Sequence, residues 1–439
     1  MTLSPALPST TVEKPDSAAT EVTRSVARPH RAKHISFERW LRYLAMVGIA
    51  VLIFAVGIED QLYEPGSPRI SRFAGFAAVG LAAPALALHG RRHRFIDAHF
   101  LALAFGAVVV ASTRWSSAET ANTFAFTTLQ VIFMMWLVWE FVDTKGKLQT
   151  AFLAWAAGGA VNIGALAYQF FVIKEPTDGL YNRYTGGDFA DANDVASVVA
   201  LGVPMVWYLA NTLKNPLLRL LLLGYIPPAV FGVAITGSRG GFFVLLTSLL
   251  VIPMTVGTLK VAGRVFVVGL MGLGLVLAPQ LLPEEQLSRA LNEDEAILRG
   301  PTTDATSGRG ELFEQALIGF SENWQRGVGA DNSQFYLMDS TDFIIPLAAH
   351  NTPADVALQT GLLGLAPFVL LLVAIGWRTL KGPLFQRRVA MGLFLATIAM
   401  MMPAHLEGTK RLWLMFALIL CTAVHLNSEV STRTGRATK

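Results

Sequence analysis

Arg239 stands among three glycines in Thr236-Gly237-Ser238-Arg239-Gly240-Gly241. Glycine permits unusual backbone angles and the close approach of a ligand. An apolar run follows, so Arg239 lies near a helix N-terminus, where free N–H groups and the dipole attract anions. A guanidinium at such a position makes a phosphate or pyrophosphate site. The alternative is a tight turn with an interfacial Arg. Ser307-Gly308-Arg309-Gly310-Glu311 sets a second Arg ahead of an amphipathic stretch, with a solvated loop Arg as the alternative. His350-Asn351-Thr352-Pro353-Ala354-Asp355 opens another apolar run. Thr352 fits an N-cap, Pro353 the first helical position and Asp355 the third, as in a capping box. His350 then sits just before a helix, where the dipole disfavours the imidazolium and leaves a neutral ring able to accept a proton. A capping or interfacial His is the competing reading.

Two further groups are weaker. Arg183-Tyr184-Thr185-Gly186-Gly187-Asp188 runs on to Asp191, Asn193 and Asp194. Aspartates three apart could hold a divalent ion, but Asn193 or Asp194 as the cap of the next helix is the preferred reading. Glu59-Asp60 could hold a metal, though such a pair is common by chance. No second His or Cys lies at ligand spacing from His350, which argues against zinc. Cys421, the single cysteine, lies inside an apolar run and reads as packing. There is no phosphate loop, dinucleotide fingerprint, serine nucleophile elbow or nucleic-acid motif, so nucleotide-dependent classes lose support.

The elements that must position these residues follow from composition. Of 439 residues, 53% are hydrophobic and 15% charged, and mean hydropathy is +0.48. Soluble domains carry about 25% charged residues. The apolar excess needs lipid as its solvent. Residues 1–36 are rich in Pro, Ser and Thr, without apolar periodicity or the apolar core of a signal peptide. Apolar runs long enough to cross ~30 Å of hydrocarbon follow. They are expected near 41–58, 73–89, 98–113, 121–141, 150–173, 195–212, 217–236, 240–256, 262–279, 354–376, 389–404 and 411–427. Lys and Arg fall mainly on the N-terminal side of the membrane, with Arg91-Arg92-His93-Arg94 and Arg387-Arg388 as anchors. The opposite face is net acidic. Arg239, Lys410 and Arg411 lie there against the bias, held either by a carboxylate such as Glu407 or by an anionic ligand. The long segment 280–353 carries a predicted helix over Glu311–Phe320, with Leu312, Phe313, Ala316, Leu317 and Phe320 on one face, broken at Gly327-Val328-Gly329. Span interiors nearly free of charge and the lack of internal repeats argue against a flippase or transporter.

Together the motifs resemble the O-antigen ligase/polymerase family of bacterial membrane proteins. The resembling residues are Ala234–Phe242; Ser307-Gly308-Arg309, Asn323-Trp324, Gly327-Val328-Gly329 and His350-Asn351; and Gln359-Thr360-Gly361-Leu362-Leu363-Gly364-Leu365. The resemblance spans about 180–405. It implies an all-α polytopic membrane protein of about twelve transmembrane helices, glycosyltransferase-C-like, with a helical periplasmic loop domain. The implied organisation is a disordered cytoplasmic tail (1–36), transmembrane helices one to nine (37–279), a large periplasmic loop (280–353), helices ten to twelve (354–427) and a cytoplasmic tail (428–439). The implied localisation is the bacterial inner membrane, with both termini cytoplasmic and the active site periplasmic. The implied reaction is an O-antigen ligase's, with no metal, nucleotide or other cofactor. The donor is a glycan on undecaprenyl pyrophosphate and the acceptor a sugar hydroxyl of lipid A-core, in lipopolysaccharide biosynthesis. Polymerase activity on lipid-linked repeats is the alternative. By resemblance Arg239 and Arg309 meet the diphosphate and His350 is the general base. Lys410, Arg411, Asn351 and Arg183 are further candidate substrate contacts.

Overall fold

The computed structural model describes residues 37–177, 183–257, 261, 265, 269, 309–341 and 346–437. The expected tail 1–36, the ninth span at 262–279 and the first part of the outer loop, with Ser307 and Gly308, lie outside them almost entirely. Among the described residues there is no strand, and the chain is a polytopic helical membrane protein. Among the described residues, nine helical segments are long and apolar enough to cross a membrane.

The apolar runs become α1 (Phe37–Ile58), α2 (Ile70–His89), α3 (Asp97–Ser112), α4 (Ala121–Phe141), α5 (Lys145–Tyr168) and α6 (Ala192–Thr212). The run expected at 217–236 is two pieces, α7 (Pro216–Leu223) and α8 (Ile226–Ile235), and that at 240–256 is α9 (Arg239–Leu249) and α10 (Val251–Val256). The outer loop contributes α11 (Arg309–Glu322) and α12 (Ser333–Ser340). Helices α13 (Thr352–Thr379), α14 (Leu384–Met401) and α15 (Lys410–Ala437) complete the chain. The backbone of α15 stays helical past the span end expected at 427.

Two helices form the centre. Nearly every residue of α6 is buried, as is Leu412–Cys421 of α15. Close packing around α6 needs missing side chains: the Tyr225 hydroxyl donates to the Val199 carbonyl at 2.9 Å, wedged where a Cβ on Gly159 or Gly202 would collide with it. Cys421 is buried, as a packing residue.

Charges buried at helix ends are paired, as lipid demands. At one end Arg42 meets Glu140 at 3.3 Å, and Glu140 also accepts from the Arg92 and His93 amides at 2.6 and 3.1 Å. At the same end Arg378, in the last turn of α13, meets Asp97 at the start of α3 at 2.6 Å. The first turn of α13 is therefore at the opposite end, with the loop that carries α11 and α12.

That loop is stitched down on two sides. Helix α13 leaves helical geometry at Gly361 (φ 59°, ψ −160°). The break frees backbone groups, and the loop takes them. Val328 and Gly329 amides donate to the Leu358 and Gln359 carbonyls at 2.8 and 2.9 Å, and Leu362 and Leu363 amides donate to Trp324 and Gln325 carbonyls at 2.7 and 3.2 Å. On the other side Ser116 donates to the Ala330 carbonyl at 2.6 Å, and Ser117 to Asn332 at 2.9 Å. The predicted loop helix is real, but its buried face is narrower than expected. Leu312, Ala316 and Gly319 are buried, whereas Phe313 and Leu317 are exposed. Gly319 lies against Tyr336 and Leu358, where a Cβ would strike Tyr336 and stand 2.8 Å from Leu358.

Candidate functional site

Four helix N-termini meet in one polar layer at the end of the bundle opposite Arg42 and Glu140: those of α6, α9, α13 and α15. The residues joining them can be followed by contact. Asp191 caps α6, accepting from the Asn193 and Asp194 amides at 2.8 and 3.1 Å, so the cap is Asp191 and neither expected residue. Ser238 caps α9, accepting from the Gly241 amide at 2.8 Å and donating to Asn193 at 2.6 Å. Arg239 is the first residue of α9 and is partly buried. Gly237 takes a left-handed backbone (φ 59°) to make the turn. Gly240 and Gly241 are needed for close approach, but to protein: a Cβ on Gly240 would lie 2.7 Å from Pro403, and one on Gly241 would strike Ala196.

Pro403 belongs to the short turn between α14 and α15, and α13 docks on the same turn. Asn351 caps α13, accepting from the Ala354 amide at 3.1 Å, while its amide group donates to the Met402 carbonyl at 3.3 Å. Thr352, expected as the cap, is one residue inside the helix. Its hydroxyl is committed elsewhere, donating to the Ala404 carbonyl at 2.7 Å and accepting from the Leu406 amide at 3.1 Å. Asp355 then bonds the Ala349 amide at 3.2 Å, so no capping box forms. His350, partly buried, precedes the cap in a left-handed conformation (φ 50°). Arg239 and His350 thus head two helices that press on one turn. Arg309 opens α11, whose Leu312 and Ala316 pack with Ala349 and Ala354 beside His350. Arg183 lies in the segment leading to α6, where its carbonyl accepts from the Thr177 amide at 3.1 Å.

The cations at the start of α15 have carboxylate partners, none of them Glu407. Lys410 lies 3.2 Å from Glu59 and donates to Ser71 at 2.6 Å. Arg411 meets Asp60 at 3.2 Å and also Asp194. Glu59 and Asp60, weighed as metal ligands, are ion-pair partners here, and Arg69 joins Glu59 at 2.8 Å. Among the described residues no cluster of His, Cys, Asp and Glu has metal-binding geometry.

Sequence reasoning missed His405. Its Nδ1 lies 3.2 Å from Glu407 and 3.7 Å from Asp355, two buried carboxylates, while the ring stays 38% exposed. Gln359 ties Glu407 (2.7 Å) to the Asp331 amide of the outer loop (3.0 Å). Glu407, and then Asp355, hold His405 well above the ordinary histidine range, against the opposing effect of burial. Two carboxylates so close to its Nδ1 favour the charged form of His405. Burial also pushes the nearby Asp331 carboxyl upward. A pKa raised by folding adds stability that is full below the unfolded value, ~6.5, and is lost as pH rises through the folded value. Wild-type protein should therefore lose stability above neutral pH. Water at the exposed ring limits the loss to ~1 kcal/mol. His405→Gln should be less stable at pH 6 and flatter from pH 6 to 10, measured by thermal unfolding in detergent. Parallel pH curves for the two proteins would refute the ion-pair account.

Cations heading helices whose dipoles converge can hold an anion with several charges, and a partly buried His beside them can move a proton. Residues 228–369 match the O-antigen ligase family. The matched segment runs from α8 through the Arg239 turn and the outer loop into α13, and holds Arg239, Arg309, His350 and Asn351. The resemblance read from the motifs is borne out over this segment. The O-antigen ligase family covers ligases and polymerase-like proteins, and implies a glycosyl-transferring enzyme of O-antigen synthesis. Arg183, Lys410 and Arg411 lie outside the match. No curated protein matched the chain.

Proposed function

We propose that the protein is an O-antigen ligase, moving a glycan from undecaprenyl pyrophosphate to a sugar hydroxyl of lipid A-core at the periplasmic face of the inner membrane. The observation that carries this reading is the shared turn: Gly240 beside Arg239 and Asn351 beside His350 both contact residues 402–403. In the reaction the anomeric carbon leaves a phosphate oxygen and joins the acceptor oxygen, with inversion. Arg239, with Arg309, meets the charge developing on the departing diphosphate. His350 takes the proton of the acceptor hydroxyl. Asn351, Lys410, Arg411 and Arg183 are the further substrate contacts of this proposal, Lys410 and Arg411 sharing their charge with carboxylates. The reaction so written balances without nucleotide or metal. Both termini are cytoplasmic in this reading.

The test is a lipopolysaccharide gel from a deletion strain, with and without the wild-type gene restored. Bare core, with polymer accumulating on the lipid carrier, is the expected result. Core bearing one repeat would instead assign polymerase activity, and an unchanged ladder would overturn both.

A further inference from the structure

A cavity of about 360 Å³ opens between α3 and α4, at the end of the bundle away from His350. Its wall is graded. Arg91 and Phe95 stand at the loop end, His99 and Trp136 come next, and Leu103 and Phe133 line the deeper part. The surface is almost wholly apolar below Arg91. The Arg91 guanidinium stacks on the Phe95 ring at 4.6 Å and has no carboxylate partner among the described residues. Arg94, three residues on, is exposed and likewise has none. By contrast Arg92, between them, pairs with Glu38. The Trp136 indole N–H is shielded from solvent and finds no acceptor among the described residues. The α4 wall runs from Leu129 to Trp136, about 10 Å of helix at 1.5 Å per residue. That is less than one leaflet of a ~30 Å hydrocarbon core.

The geometry points to a binding site for an anionic phospholipid, one acyl chain lying in the groove and its phosphate on Arg91 and Arg94. The order of the wall matches the order of the ligand. Unpaired cations meet the phosphate, the indole N–H lies at the level of an ester carbonyl, and an apolar slot takes the chain. The depth suits a chain that enters from one leaflet and stops within it. A zwitterionic lipid would place a choline beside two unpaired guanidinium groups, so the site selects negative headgroups. This inference does not depend on the proposed transferase activity.

The test uses the full-length protein in a neutral detergent, read by native mass spectrometry. The probes are dioleoyl phosphatidylglycerol, dioleoyl phosphatidylcholine and chain-free glycerol phosphate. The anionic lipid should be retained at least fivefold better than the zwitterionic one, and glycerol phosphate should not displace it. The double variant Arg91→Gln, Arg94→Gln should erase the headgroup preference while keeping residual binding of both lipids. Leu103→Trp, at a lipid-facing wall position, should fill the slot and lower binding of both lipids with no fall in unfolding temperature. Equal retention of the two lipids by wild type would overturn the proposal. So would unchanged binding by Leu103→Trp, because attraction to the basic loop alone would then suffice. Displacement by glycerol phosphate would reduce the site to one for free phosphate.

Discussion

His350→Asn should lower glycan transfer by about 10²–10⁴-fold, the usual contribution of a positioned general base, while leaving the protein folded. Asn is the right replacement because residue 350 has a positive φ of 50°, a region Asn enters far more readily than Ala or Gln. A loss of activity by this variant cannot then be blamed on the backbone. The loss should fall on kcat, with donor KM changing little, because the diphosphate contacts are assigned to Arg239 and Arg309. The measurement is transfer in proteoliposomes from purified donor to lipid A-core, alongside an unfolding curve. Transfer within threefold of wild type would remove His350 as the proton acceptor.

Gly361→Ala should destabilise the protein by about 3 kcal/mol or more, from backbone strain and lost hydrogen bonds. At φ 59° and ψ −160° Gly361 occupies a region essentially reserved for glycine, and an added Cβ would lie 2.5 Å from the Arg326 amide nitrogen. Gly327, on the loop side, has φ 70° and would drive a Cβ into the Gln359 carbonyl carbon. Both glycines serve the same four loop-to-helix hydrogen bonds. Their alanine variants should therefore be less than additive, and each should speed proteolysis between α11 and α12. Wild-type unfolding temperature in either single variant would sink this account.

The helices were legible because lipid imposes a crude rule: an apolar run of sufficient length becomes a helix. Their joints were less so. Splitting at Gly224 and again near Leu250 leaves the apolar run unbroken, so hydropathy passes over it. The motif glycines were legible as important: Gly237 has the unusual backbone angle expected, and the close approach at Gly240 and Gly241 includes Pro403 and Ala196. A ligand and a neighbouring Pro403 both demand a missing Cβ, and sequence does not distinguish them. The loop motif Gly327-Val328-Gly329 and the helix motif Gln359-Thr360-Gly361 looked like separate signatures, yet each is the other's binding partner. Capping at residue 351 instead of 352 turned on a hydroxyl being claimed by a turn some fifty residues later. His405 was invisible for a similar reason. A His two residues from a Glu in a short turn has no distinctive spacing, and the second carboxylate, Asp355, comes from another helix.

The pairing of Lys410 and Arg411 with Glu59, Asp60 and Asp194 bears on how the protein is built. The acidic groups are synthesised hundreds of residues before the cations that neutralise them. A nascent chain that has inserted α1 to α6 therefore holds Asp60 and Asp194 at the membrane edge without the arginine of α15 that pairs with them, while Glu59 already has Arg69. Closure of this end of the bundle therefore waits for α15. A ribosome-bound or prematurely terminated chain would be marked by those open charges for quality-control proteolysis. The segment that carries the family's signature, without the residues on either side of it, would lack both the Ser116–Ser117 dock and the turn that brings its own two helix ends together.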